Sequence, residues 1–173
     1  MLRTDFDRLC PVIRLLPSIP EPIQQFRANP WPYQTTLVTP RKNMTSFLSA
    51  LLTTFPADRG VASTDQLVFE PDSFLELLKA RNLAIENYWT FCAEASNSED
   101  VAVLLDAMLD DWIDFVFVPS PASFAIYADH DEFLTLYVPG SSALDHLSDQ
   151  LRLAGFGFED WYVRPSGGDG LWR

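Results

Sequence analysis

Between residues 112 and 138 the chain reads WIDFVFVPSPASFAIYADHDEFLTLYV, three aromatic and β-branched runs separated only by PSP and DHDE. Ile113 to Val118, Phe124 to Ala128 and Phe133 to Val138 each fit a strand, and the last two fit a hairpin. Four turn residues cannot make a crossover, so this pair is expected to be antiparallel. Strands this apolar on both faces need helices or a second layer over at least one side.

The flanking segments supply the helices. Met44, Phe47, Leu48, Leu51, Leu52 and Phe55 recur at helical spacing before Pro56, which predicts a helix over 43–55 with Thr39 or Asn43 as its cap. Leu67-Val68-Phe69 reads as a short strand. Glu70-Pro71-Asp72 opens what reads as the longest helix, 72–94, with Cys92 on its apolar face. A third helix spans 99–111, capped by Ser98 and carrying Val101, Leu104, Leu105, Met108 and Leu109 inward. A fourth spans 143–154, with Gly155 suited to a left-handed C-terminal position. Phe158 to Val163 reads as a last strand.

Seven of the thirteen prolines lie within residues 1–40, which excludes long helices there. The apolar residues among them mark a wrapping arm, with Tyr33 to Val38 as a strand candidate. The expected fold is therefore α+β: a mostly antiparallel sheet with the 124–138 hairpin, packed against helices. From about Glu99 the order reads α-β-β-β-α-β, preceded by a helical, Pro-rich N-terminal half. A chain of 173 residues is most simply one domain, 1–173, with 1–40 as the arm and 165–173 as a mobile tail.

No apolar run approaches the ~20 residues that span a bilayer. The opening MLRTDFDRLCPVIRLLP has no apolar stretch of signal-peptide length, so a soluble, cytoplasmic protein is expected, with Cys10 and Cys92 reduced. The net charge of -12 is unevenly placed: residues 82–173 hold sixteen acidic and three basic side chains. Such a half repels phosphate backbones, which disfavours nucleic acid, and attracts a basic protein.

Two acidic clusters are the candidate binding residues. The first is the turn Asp129, His130, Asp131 and Glu132, whose Asp129 and Asp131 are also weak candidates for a divalent metal. The second is Asp110, Asp111 and Asp114, with Asp106 one turn earlier. Asp106 and Asp110 repel at i,i+4, and Asp110 and Asp111 sit at the unfavourable end of a helix dipole. No GxSxG, HExxH, CxxC, phosphate-loop or dinucleotide pattern is present, and no cofactor is implied. The expectation is an acidic protein-binding protein, of inhibitor or immunity type, facing a basic partner. The alternatives are a metal-dependent hydrolase centred on Asp129, His130 and Asp131, or an α+β domain of structural role.

Overall fold

The structure, a computed structural model, describes residues 13–38, 44–84, 90–131 and 133–159. These form, in chain order, β1 (Ile13–Leu16), α1 (Glu21–Ala28), β2 (Tyr33–Val38), α2 (Met44–Thr54), β3 (Gly60–Gln66) and α3 (Asp72–Ala80). There follow β4 (Cys92–Ala95), α4 (Ser98–Asp110), β5 (Asp114–Pro119), β6 (Ala125–Ala128), β7 (Phe133–Val138) and α5 (Ser141–Leu153). The strands make one sheet of order β1-β4-β3-β5-β6-β7-β2. Every neighbouring pair is antiparallel. The hairpin at 124–138 is present as β6–β7.

Alternation along the strands sorts the side chains onto two faces. Phe115, Phe117, Ile126, Leu134 and Leu136 point into the larger core, shared with α2, α3, α4 and α5. Within that helical layer α4 packs against both α2 and α3, and α2 also packs against α5. Val116, Val118, Ala125, Tyr127 and Tyr137 point to the opposite face, where Ile23 and Phe26 of α1 cover them. Pro20 and Pro22 suit the first turn of α1, where a missing N–H costs nothing. Spacing of three then puts Ile23 and Phe26 on one side. Phe26 meets Tyr137 edge-on at 5.0 Å and Trp31 at 5.6 Å between ring centroids.

Three expectations about which segments are helix or strand are corrected. The helix expected over 72–94 stops at Ala80, and Cys92–Ala95 is a strand instead. Asn82 takes a left-handed backbone (φ 54), so its amide reaches the Lys79 carbonyl and the Leu83 amide reaches that of Leu78. That pairing closes the helix end. The returning chain is then caught by Thr64, which exchanges hydrogen bonds with Phe91, while Phe91 stacks on Phe74 at 4.1 Å. Cys92 is consequently buried on β4, with Sγ 3.5 Å from Ser63 Oγ. Second, Leu67-Val68-Phe69 is not a strand; the strand is the preceding Gly60–Gln66. Third, the N-terminal half is not mainly helical, since it supplies β1, β2 and β3.

The α4 cap is Asn97 and not Ser98: Asn97 Oδ1 accepts the Asp100 amide at 2.8 Å. The helix closes as α3 does, with Trp112 left-handed (φ 52) and the Ile113 amide on the Met108 carbonyl. Gly155 (φ 89) ends α5, as its composition predicts. Of the expected last strand only a bridge from Phe158 to Leu37 falls within the described residues. Cys10, Glu132, the caps at Thr39 and Asn43, and the tail 165–173 lie outside them. No described helix is long and apolar enough to cross a membrane.

Asn82 is exposed, so its effect on stability comes from its backbone alone. Asn82→Val is expected to lower the unfolding free energy by about 1–2 kcal/mol, and Asn82→Gly to be tolerated. Chemical denaturation of the two variants checks this. Equal stability would mean that the left-handed turn does not end α3.

Candidate acidic binding surface

The start of β5 brings together segments that are far apart in sequence. Asp114 opens the strand and lies opposite Gln66, the last residue of β3. Its carboxylate accepts the His130 amide at 2.6 Å and faces His130 Nδ1 at 2.9 and 3.0 Å. The side chain of Asp114 is 8% exposed and that of His130 is 32% exposed. A buried carboxylate needs such partners, and His130 provides two. The hairpin tip is thereby tied to the beginning of β5.

Asp129 closes the same tip. Its Oδ1 accepts the amides of Asp131 at 3.1 Å and Phe133 at 3.2 Å, a short side-chain turn of the kind aspartate favours. Asp131 projects outward with its side chain 75% exposed, and its Oδ1 lies 3.9 Å from His130 Nε2. The three side chains of the expected metal cluster therefore have separate tasks. Among the described residues no group of three or more His, Cys, Asp or Glu side chains is placed to hold a metal ion.

The second cluster faces α3. Asp111 accepts the amides of Ser73 at 3.0 Å and Phe74 at 2.7 Å, and Asp110 accepts the Ser73 hydroxyl at 2.7 Å. Pro71, the residue at the cap position of α3, makes no side-chain cap bond, so the C-terminus of α4 supplies the cap from another element. Two carboxylates that look misplaced on their own helix are well placed for the neighbouring N-terminus. Asp110 remains exposed, whereas Asp111 is half-buried and Asp114 is buried. Of these three candidate binding residues, Asp111 and Asp114 are thus engaged within the fold, and Asp110 is the exposed one. Removing the Asp111 cap would cost about 0.5–2 kcal/mol.

Between these anchors runs the loop 67–71. One end leaves β3 beside Asp114, and the other enters α3 beneath Asp110 and Asp111. At its centre Val68 is 42% exposed and Phe69 is 55% exposed, among the largest exposed apolar side chains of the described residues. The fold thus sets an apolar loop tip at the sheet end that carries both acidic clusters. The exposure of Val68 and Phe69 is not legible in the sequence, because an apolar triplet passes for a buried strand; Pro71, at the cap position of α3, is the available signal. Asp106 lies elsewhere, on the exposed side of α4, and His146 is exposed on α5. No known protein family, curated protein or solved structure matches the chain.

Burial pushes the Asp114 carboxyl up from the ordinary aspartate range, against the lowering effect of its His130 bonds. Burial likewise raises Asp111, against the Phe74 and Ser73 amides. His130 is raised above the ordinary histidine value, chiefly by its bond to Asp114. A raised folded pKa favours the protonated form in the folded state. Its stabilisation is complete below the unfolded value and is lost as pH rises through the folded one. For His130 that window opens at about 6.5. An NMR titration should place the His130 midpoint above that value, and Asp114→Asn should bring it down. Stability should fall with rising pH across the same window in the wild type and not in His130→Gln. A wild-type midpoint at or below about 6.5 would mean that the bond does not hold in solution.

Proposed function

We propose that the chain is a protein-binding protein that engages a basic partner through the sheet end carrying Asp110, Asp129 and Asp131 around Val68 and Phe69. The observation that carries this reading is an exposed apolar loop tip whose two ends are pinned to opposite acidic clusters. Specific interfaces join an apolar anchor, which supplies most of the affinity, to a polar rim that steers and orients the partner. The carboxylates around this apolar tip favour a cationic partner surface over a purely apolar one. A role as inhibitor of a nucleic-acid-acting protein fits this logic, because such a protein presents a basic surface to phosphate. The hydrolase reading ranks lower, since Asp129 is engaged with the hairpin's own amides.

Binding kinetics of the partner recovered from the native host provide the test. Association is expected to slow at least roughly tenfold between low salt and ~0.15 M, with a further loss in Asp129→Asn/Asp131→Asn. Phe69→Ser is expected to act on dissociation, weakening affinity by about 2 kcal/mol or more. A partner whose rates ignore both substitutions, or the recovery of none, would remove this surface from consideration.

A further inference from the structure

The other end of the same sheet carries a cavity of opposite character. In a chain of net charge -12, Arg14 and Arg59 both line one cavity of about 400 Å³. That volume falls within the ~300–1,000 Å³ typical of small-molecule sites. Its floor is a single cross-strand row on the α1 face of the sheet. Arg14 of β1 lies opposite Glu94 of β4, Glu94 opposite Val61 of β3, and Val61 opposite Val118 of β5. The row passes from charged at the sheet edge to apolar at its centre. Arg59 enters from the connection before β3, and its carbonyl accepts the Ser120 amide at 2.9 Å, which fixes the two walls together. The β1–α1 connection, with Pro17 and Pro20, supplies the remaining side.

The charges are arranged for an anion. Glu94 binds Arg14 through Nε, which leaves both terminal nitrogens of that guanidinium outside the bond. Arg59 is exposed, and among the described residues no carboxylate stands within ion-pair distance of it. Two guanidinium groups against one engaged carboxylate leave the cavity with a positive balance that an otherwise acidic chain does not share. Guanidinium nitrogens match the geometry of a carboxylate, and they do so better than a lysine ammonium. Past Val118 a second cavity of about 530 Å³ shares the walls at Pro22, Pro119 and Ser120 and is lined by Phe26 and Trp31. A ligand with an acidic head over the arginines therefore finds apolar and aromatic surface for its body.

We infer that this groove between α1 and the β1-β4-β3-β5 end of the sheet is a binding site for a small organic acid, a carboxylate on an apolar body. It lies at the opposite end of β3 and β5 from Asp110, Asp131 and Phe69, so it stands or falls independently of the protein-binding reading.

The test uses the full chain, with hexanoate and phenylacetate as probes and their neutral amides as controls, followed by calorimetry and amide chemical shifts. The acids are expected to bind at about millimolar Kd or tighter, the scale that so few atoms support. The amides should bind at least roughly tenfold more weakly, and Arg59→Gln should weaken the acids by a similar factor. Shift changes should concentrate at Gly60, Val61, Val118 and Ser120. Failure of both acids to bind, equal binding of the amides, or shifts centred elsewhere would each overturn the site. Indifference to Arg59→Gln would do the same; should that variant not fold, the acid–amide contrast and the shift map on the wild type decide.

Discussion

Strand β5 is buried from Asp114 to Pro119, and the need to cover both of its faces governs the rest of the structure. Phe115 and Phe117 require the helical layer, while Val116 and Val118 require α1. Buried aromatic side chains are worth several kcal/mol each, roughly 3–5 kcal/mol on truncation, so neither face can be left to water. The paired strands must follow suit. Gly60 of β3 shows how close the packing is: a Cβ there would meet the Phe117 ring at 2.3 Å. A side chain at that position and the buried ring cannot occupy the same space.

One residue of β5 breaks the apolar pattern, and it organises the sheet end that displays the exposed acids. A carboxylate at the start of a buried strand has to be bonded, and Asp114 is bonded to the hairpin tip. The same chain region, three residues earlier, turns Asp111 onto the amides that open α3. These two obligations, one of burial and one of helix capping, fix where the exposed carboxylates Asp110 and Asp131 stand relative to the loop 67–71. The charged surface is thus a consequence of satisfied polar groups beneath it, and the exposed acids are displayed by the buried ones.

The elements legible in the sequence are those with a strong period and local punctuation. The β6–β7 hairpin, α2, α4 and α5 follow from spacing and from Gly155, with ends correct to within two residues or so. What escaped was decided by contacts distant in sequence. Cys92–Ala95 is rich in alanine and looks helical, but Asn82 ends α3 and Thr64 draws the chain into the sheet between β1 and β3. Glycine, serine and threonine in β3 give no apolar alternation, and that strand exists because its neighbours pair with it. The site followed the same division. Both acidic clusters were legible as clusters, but the β-ladder that joins them was not. Arg14, Arg59, Glu94 and Ser120 belong to four separate segments and have no shared local signal at all.

The fold sets Asp131, the loop around Phe69 and the Asp110 end of α4 on one surface. A nitroxide attached at Asp131→Cys, in a chain with Cys10 and Cys92 replaced by serine and its fold verified, measures this through paramagnetic broadening of amide resonances. At ~3.3 Å per residue, the length of β3 puts Gly60 about 20 Å beyond Gln66, and this separates near from far. Strong broadening is expected at Val68, Phe69 and Asp110, with Gly60 and Ser120 left sharp. Broadening at Gly60 and Ser120, or sharp resonances at Val68 and Phe69, would contradict this placement.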